Sequence, residues 1–387
     1  MVEYLSQEGQ QKLNSFESFL HNELKPLEEK AKMATEANNK SEFRTLRKQV
    51  AKRSSELGFF KMTQPKSIGG QPATQLEIIA FQEALSTANV PMLSSSVFGP
   101  GAGMLGRATG ELRERYLMGV LRGELRGSFG FTEPPDVVER TVAVEDGDDL
   151  VITGQKSYVT GGDTADFVSA FCNLRSPNGE KQGNAMVVID IDSPGVTIER
   201  VFSSMDDNMK HAYLSFNNVR VPKWRILGGK SGGNSGMKNA MRQIGNVRLS
   251  LSAQAVGTAK CALDYTRTTL NAPHRSGSPL STREGVRIRY AELYAEYYAA
   301  RSMLYHTAQL AQQGEDINSK LKATKIFCTE MANKVVDGCL QLSGGMAVTV
   351  GHPLEALYRQ VRVWKFTEGA SDLLRIQLAE DVLSSKL

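Results

Sequence analysis

The hydrophobic pattern of this chain changes twice, and those two changes constrain its fold more than any single motif. Up to about residue 127 the apolar positions recur at helical spacing. Segments 7–33, 41–58 and 74–88 are rich in Leu, Glu, Lys, Gln and Ala, with breaks at Pro65, Gly69-Gly70 and Pro91. Leu76, Ile79, Ala80 and Ala84 share one helical face, which is expected to be core. From about 128 to 230 the pattern becomes short β-like runs punctuated by Gly, Asp, Asn and Pro: Leu150–Thr153, Phe167–Leu174, Ala185–Ile191, Val196–Arg200 and Ala212–Phe216. That spacing predicts a small antiparallel barrel or sandwich. Long helices then return. Val286, Tyr290, Leu293, Tyr297, Ala300 and Leu304 recur at steps of four and three, as do Leu321, Thr324, Cys328, Met331, Val335 and Leu342, with a gap at Gly338. The short polar link from Gln312 to Asn318 predicts antiparallel neighbours in a bundle. Ala253, Ala255, Gly257, Ala259 and Ala262 would let one helix approach its neighbours closely. The expected class is α+β: an N-terminal helical domain over 1–127, a central small antiparallel β-domain over 128–230, and a C-terminal four-helix-type bundle over 231–387.

Composition removes several function classes. A 387-residue chain with 41% hydrophobic and 23% charged residues is long enough for two or three packed units of an ordinary globular protein. No apolar run reaches membrane-spanning length, and Met1-Val2-Glu3-Tyr4-Leu5 has neither signal-peptide nor transit character, so the expectation is a cytoplasmic or already processed matrix protein with no membrane partner. A net charge of +4 is far from the basic stripe of a nucleic-acid binder. Cys172, Cys261, Cys328 and Cys339 form no C-x-x-C pair and are expected as reduced thiols. His21, His211, His274, His306 and His352 are scattered without ligand spacing, so no metal is expected. Gly228-Gly229-Lys230-Ser231-Gly232-Gly233 is not a phosphate loop, because Trp224 stands where its first glycine is required; it is expected as a flexible boundary. Two basic clusters stand out: Arg107, Arg113, Arg115, Arg122 and Arg126, and then Arg225, Lys238, Arg242 and Arg248. Solvated helix faces explain such clusters; the second also suits a phosphate-bearing carrier such as coenzyme A or a phosphopantetheinyl protein.

One C-terminal stretch carries chemistry. Phe366-Thr367-Glu368-Gly369-Ala370-Ser371-Asp372 follows Gln341-Leu342-Ser343-Gly344-Gly345 by some twenty residues. A carboxylate beside a glycine, downstream of a glycine pair, is what proton abstraction next to a bound flavin requires. Ser371 and Asp372 are turn formers, so the same stretch also suits a helix flank.

Taken with the layout, these motifs resemble the acyl-CoA dehydrogenase family over essentially the whole chain. Pro65 and Gly69-Gly70 ahead of Gln75–Leu85 resemble a turn of its N-terminal domain. Phe129-Gly130-Phe131-Thr132-Glu133-Pro134 is similar to its flavin-contacting stretch, and Gly154-Gln155-Lys156-Ser157-Tyr158-Val159-Thr160 to its G-x-K-x-W-I-T strand. Val247-Arg248 opens the bundle as the family's arginine-bearing helix does, and Gln341 to Gly345 and Thr367-Glu368-Gly369 fall where its flavin-binding glycines and catalytic glutamate belong. Departures accompany the matches. Pro135-Asp136-Val137-Val138-Glu139 replaces x-x-G-S-D, so Val138 takes the place of a serine on the thioester side. Pro273-His274-Arg275-Ser276-Gly277 replaces R-x-x-F-G, leaving Arg275 to stand in for a flavin-phosphate arginine. Glu284 stands where glutamine is usual, and Gln360 where aspartate is usual.

The resemblance implies a homotetrameric or homodimeric FAD enzyme that oxidises an acyl thioester to its α,β-unsaturated form and passes electrons to an electron-transfer flavoprotein or to oxygen. It implies Glu368 as the base. Some relatives carry the base beside the helix arginine, but here that place is Val247. Phe129, Phe131, Thr132, Tyr158, Val159 and Thr160 would line the flavin. Arg275, Gln341, Gly344, Gly345, Ala370 and Asp372 would contact the rest of the cofactor, the glycines from a neighbouring subunit. Arg248, Gly369 and position Val138 would face the substrate or order its loop. The carrier is coenzyme A or, given the altered pocket motif, an acyl- or peptidyl-carrier protein of specialised metabolism. Two other readings remain at this point: a flavin monooxygenase on the same fold, which needs no base at Glu368, and a non-catalytic binding protein.

Overall fold

The computed structural model describes residues 4–64, 66, 69–99, 103–137, 139–206, 210–228 and 235–384, with backbone alone at Lys40, Arg107, 235–244 and Asn246. The expectations placed on Pro65, on Val138, on Gly229 to Gly233 and on the side chains of Lys238 and Arg242 lie outside the described residues.

Helices α1 (Gln7–Phe19), α2 (Lys25–Glu36), α3 (Lys40–Glu56) and α4 (Gln75–Ala88) come first, then the short α5 (Gly110–Leu112) and α6 (Met118–Leu121). Strands β1 (Gly127–Gly130), β2 (Val142–Asp146), β3 (Asp149–Thr160), β4 (Phe167–Arg175), β5 (Lys181–Asp190), β6 (Val196–Ser203) and β7 (Lys210–Pro222) follow. The chain ends in α7 (Ser235–Asn271), α8 (Glu284–Gln312), α9 (Asn318–Ser343), α10 (Pro353–Trp364) and α11 (Ser371–Ser384). These elements form two compact units, one of residues 1–60, 73–98 and 245–387, the other of 61–72 and 99–244. Helix, then sheet, then helix is the expected α+β layout.

The first unit is all helix. A wide π-type turn, Leu20–Leu24, joins α1 to α2, where Pro26 lacks the N–H that a regular turn would use. Helix α4 opens on a reciprocal cap: the Glu77 N–H donates to Thr74 Oγ1 at 3.2 Å, and the Thr74 N–H donates to Glu77 Oε2 at 2.8 Å. It stops at Asn89, whose φ of +52° is left-handed. Leu76, Ile79 and Ala80 are buried as expected, and so are Phe81 and Glu83, because α4 is enclosed on more than one side. The Glu83 carboxylate accepts from Arg301 Nε at 2.7 Å and from the Tyr305 hydroxyl at 2.5 Å, tying α4 to α8. The stripes of α8 and α9 pack against each other, and the gap at Gly338 is filled by Leu293, whose methyls lie 2.7 Å from where a Cβ would stand. On α7, Ala253, Ala255, Ala259 and Ala262 are fully buried.

The second unit is one seven-stranded sheet in the order β1-β4-β2-β3-β7-β6, with β5 on the other edge of β4. Antiparallel pairing dominates, but β4 runs parallel to β1 along its first half and to β2 along its second. Leu150, Ile152, Val168, Ala170, Val187, Ile189 and Leu214 build one core. The alternate residues Phe167, Phe171, Met186 and Val188 meet Leu112, Tyr116 and Leu121 in another. Covered on both faces, β4 is buried along almost its whole length rather than on alternate residues. Strand β2 was not among the expected runs, although Val142-Ala143-Val144 ahead of Asp146-Gly147, with Gly147 at φ +61°, is a hairpin signal. Among the described residues no helix is long and apolar enough to cross a membrane, and no group of three or more His, Cys, Asp or Glu could hold a metal ion. The four cysteines are free; Cys172, Cys328 and Cys339 are buried and Cys261 is half-buried.

Gly257 sets the approach of α7 to α4: a Cβ there would stand 2.3 Å from the Glu83 carbonyl oxygen and 2.8 Å from Ser86 Cβ. In an open helix Gly→Ala stabilises by about 1 kcal/mol. Here overpacking against backbone costs about 1–3 kcal/mol and wins. Gly257→Ala is therefore expected to lower the thermal midpoint, and a raised midpoint would contradict this packing.

Candidate active site

Glu368 lies in the turn between α10 and α11, at φ +58°. A left-handed conformation at a residue with a Cβ costs on the order of 1–3 kcal/mol and persists only when its surroundings impose it. Two cations do so here. Arg248 Nε on α7 donates to the Glu368 carbonyl oxygen at 2.9 Å, and Lys325 Nζ on α9 donates to the Gly369 carbonyl oxygen at 2.8 Å. Gly369 follows at φ +106°, and a Cβ there would stand 3.3 Å from Arg248 Nη2, so glycine is needed for both its conformation and its space. The Ser371 N–H then donates to the Lys365 carbonyl at 2.9 Å, and the Leu374 N–H to the Ala370 carbonyl at 3.0 Å, closing the turn into α11. The Glu368 N–H makes no hydrogen bond among the described residues.

Burial dominates the electrostatics of this turn. It pushes the Glu368 carboxyl above the ordinary carboxylate range, against the pull of Arg248 and Lys325. It lowers the Arg248 guanidinium from its usual value, with Glu368 opposing. It brings Lys325, which is fully buried, down to about 8, helped by the neighbouring Arg248 charge. Arg248 was expected from sequence; Lys325 was not. A lysine next to the apolar stripe of a helix reads as an ordinary surface residue, and only its contact with the turn gives it a role.

The other expected positions in this unit are more open. Gly344 ends α9 at φ +82°, and neither it nor Gly345 has an atom within 4 Å of a built Cβ. Gln341 is exposed, and its carbonyl receives the Gly344 N–H at 3.4 Å. Arg275 is exposed in the loop after α7 and makes no ion pair among the described residues. Ala370 is half-buried, and the Asp372 carboxylate pairs with Arg375 at 2.6 Å. Val247 is half-buried on α7 beside Arg248.

In the second unit two motif stretches are strapped together. The Ser157 N–H donates to the Thr132 carbonyl at 2.8 Å, and Lys156 Nζ, fully buried, donates to Glu133 Oε1 at 2.7 Å. Burial works to raise the Glu133 carboxyl, but the Lys156 contact and the Thr141 N–H at 2.8 Å hold it below its ordinary range. A charged residue at an inward strand position and a glutamate before a proline are the sequence signals that could have found this pair. Tyr158 sits at φ +54°, exposed, beside Phe202, His211 and Tyr213. The Thr160 hydroxyl is 3.2 Å from His211 Nδ1, and Thr132 is exposed.

Three expected flavin-lining side chains pack at least in part against the protein itself. Val159 is fully buried in the sheet core, because the bulge between Lys156 and Val159 shifts the alternation; only its backbone is left to face a ligand. Phe129 and Phe131 stack on each other at 5.9 Å, and Phe131 packs on Phe171 at 5.1 Å. The second basic cluster is also not one surface: Arg225 is buried against Asp190 at 2.9 Å, over the rings of Tyr116 and Trp224. In the first cluster Arg115 pairs with Asp190, Arg113 with Glu114 and Arg122 with Glu124.

Each unit, taken by itself, has residues that fit a part of a flavin. Ser157 Oγ is buried with no hydrogen-bond partner, an unanswered polar atom beside Thr132 and Tyr158 of the kind a heteroaromatic edge satisfies. The bare backbone at Gly344 and Gly345 allows the close approach that a diphosphate needs.

Comparison with known proteins gives the same assignment along the chain. Residues 6–124 match the model of the acyl-CoA dehydrogenase N-terminal domain, 128–219 that of the middle domain, and 234–383 that of the C-terminal domain. The chain is similar to the 3-(aryl)acrylate reductase of Clostridium sporogenes, with 28% identity over 377 residues that cover 94% of this chain and 96% of that protein. It is similar to the acryloyl-CoA reductase (NADH) of Anaerotignum propionicum, with 28% identity over 342 residues, 86% of each. A solved structure described as a probable acyl CoA dehydrogenase from Mycobacterium abscessus superposes with a TM-score of 0.84 at 27% identity, covering 98% of this chain and 100% of that one.

The raised Glu368 carboxyl has a consequence for stability. Its folded pKa lies above its unfolded value, so the folded state holds the proton more tightly, and stability falls as pH rises through the interval between the two. Glu368→Gln removes that penalty. Its thermal midpoint should exceed the parent's at neutral pH, and the difference should shrink as the pH falls below the ordinary carboxylate range. A difference that does not vary with pH would show that the carboxyl is not buried in this way.

Proposed function

The chain belongs to the acyl-CoA dehydrogenase family and is an FAD-dependent oxidoreductase acting on the CH–CH bond next to an acyl thioester, and we propose that Glu368 is the base that takes the α-proton. The observation that carries this assignment is a partly buried carboxyl, raised toward the acidity of an activated α-carbon, on a turn whose two successive carbonyls are gripped by Arg248 and Lys325. The flavin, when bound, supplies the acceptor for the two electrons and the β-hydrogen.

The protein's own part is positioning and charge. Arg248 and Lys325 donate to backbone, not to the carboxylate, so Glu368 Oε1 and Oε2 stay available to the substrate while its main chain is held. The unbonded Glu368 N–H is the donor proposed for the thioester oxygen, where negative charge develops as the proton leaves. Such a preorganised donor is typically worth about 3–4 kcal/mol in the transition state. The unpartnered Ser157 hydroxyl and the exposed Thr132 and Tyr158 are the residues proposed to meet the flavin ring, and Gly344 and Gly345 of a neighbouring copy the ones proposed to meet its diphosphate half.

A homo-oligomer with electron-transfer flavoprotein as electron partner completes the proposal. Ile288, Tyr294 and Tyr298 on α8 and Met346, Val348 and Val350 beyond the glycine pair are large apolar side chains left exposed, which favours burial against a second copy. Coenzyme A is the proposed carrier. The relatives in Clostridium and Anaerotignum are named as reductases, which favours a second reading in which the reaction runs toward the saturated acyl group. The same Glu368 would then return the proton to the α-carbon.

Anaerobic mixing tests both directions. A saturated acyl-CoA should bleach the oxidised flavin, or an enoyl-CoA should restore colour to the reduced enzyme. Glu368→Gln should stay yellow and lose at least about 1000-fold in rate either way; normal turnover by that variant rules out the base assignment. The pH profile provides a further check. Lys325→Met removes a cation that pulls the Glu368 carboxyl down, so the acidic limb of the rate should move to higher pH, while Lys325→Arg should restore it. An acidic limb that stays where it was in Lys325→Met would leave Lys325 no electrostatic part.

A further inference from the structure

The helical unit carries a half-open cavity of about 270 Å³, walled by α4, the turn Ser94–Ser96, α7 and α10. It shares two walls with the Glu368 turn. Helix α7 carries Arg248 about two turns before Gln254 and about three before Thr258, which line the cavity. Helix α10 ends at Trp364, also on the lining, and the chain runs directly on into the turn that holds Glu368.

Its lining is not that of a hydrocarbon pocket. Of thirteen lining residues, eight carry an amide or hydroxyl and five are apolar; none is charged. Three glutamines converge from three helices: Gln82 from α4, Gln254 from α7 and Gln360 from α10. Gln254 Nε2 donates to Gln82 Oε1 across a long 3.4 Å, and among the described residues these three amides make no other side-chain hydrogen bond. Each primary amide offers two donors and an acceptor with two lone pairs, so most of that capacity is left unanswered by the protein. Gln360 is also one of the departures seen in the sequence: a neutral amide stands where a carboxylate is usual, which keeps the lining free of charge.

These groups decide what can fill the space. A plain alkyl chain would displace water from the amides and return no hydrogen bond, at a cost for each group left unpaired. No lining residue would give a carboxylate or ammonium a counter-charge; the nearby Arg47 stands behind Ser95 and Ser96, donating to their hydroxyls at 3.4 and 3.2 Å. An uncharged substituent with a donor and an acceptor answers the glutamines. At ~30 Å³ per water the cavity has room for roughly nine waters, enough for a short chain or a single ring but not a long fatty tail.

We propose that this cavity seats the acyl group, and that the acyl group carries an uncharged hydrogen-bonding substituent, such as a hydroxyl, phenol or carboxamide, received by Gln82, Gln254 and Gln360. The inference rests on the acyl-thioester reading above and names the class of substrate within it.

Matched pairs of thioesters differing by one polar group test it on the flavin-loaded enzyme: hexanoyl-CoA against 6-hydroxyhexanoyl-CoA, and 3-phenylpropanoyl-CoA against its 4-hydroxyphenyl counterpart, each with the corresponding enoyl-CoA for the reductive direction. In at least one pair the hydroxylated member should be favoured in kcat/KM by about tenfold, the worth of one well-made neutral hydrogen bond. Gln360→Leu and Gln82→Leu should bring the two members together. The unreactive thioethers hexyl-CoA and 6-hydroxyhexyl-CoA, titrated by calorimetry, should rank in the same order without turnover. Equal or better use of the alkyl member in both pairs overturns the inference, and so does a ratio that both leucine variants leave unchanged. Silence of the flavin toward every thioester, in both directions, overturns the functional reading and this inference together, whereas turnover without selectivity overturns the inference alone.

Discussion

Two cations bonded to two neighbouring carbonyl oxygens hold the turn of the proposed base in place. Glu368 occupies a backbone conformation that a residue with a side chain avoids, and Arg248 and Lys325 supply the interactions that keep it there. Because they bind main chain, the carboxylate is not spent on an ion pair. The same two charges limit how far burial can raise it, so one arrangement sets both where the carboxyl points and how basic it is. The bundle exists, from this viewpoint, to bring α7, α9 and the α10–α11 turn to one place.

The packing behind that arrangement depends on small residues and buried polar ties. Gly257 and the alanines around it let α7 lie against α4, and the Glu83 carboxylate joins α4 to α8 through Arg301 and Tyr305. Glu28 does similar work at the edge of the cavity, accepting the Met92 and Leu93 N–H groups at 2.8 and 3.1 Å and so fixing the approach to the Ser94–Ser96 turn. In the sheet unit the Lys156–Glu133 pair has an equivalent part: a carboxylate satisfied by one buried cation and one backbone donor holds the two motif stretches in register.

Much of this was legible in the residues. The helix–strand–helix layout followed from a change of hydrophobic period, and Glu368, Gly369, Arg248 and the glycine pair followed from short motifs in a fixed order. What misled was reasoning from motif membership to side-chain direction. Val159 lies inside a flavin-type motif but faces the core, because a bulge two residues earlier shifts the alternation. Arg225 belongs to a basic cluster in sequence but is consumed by Asp190 and two aromatic rings.

By itself the sequence determined the class of fold and the order of its elements and singled out the carboxyl proposed as the base, since periodicity and local turn chemistry are properties of neighbours along the chain. Only the tertiary structure decided that Lys325 is a second clamp, that Ser157 is an unanswered donor, and that three glutamines from separate helices share one cavity. Each of those facts is a meeting of residues tens to hundreds of positions apart. Burial, which sets the cost of an unpaired charge or amide, exists only once the chain has folded around them.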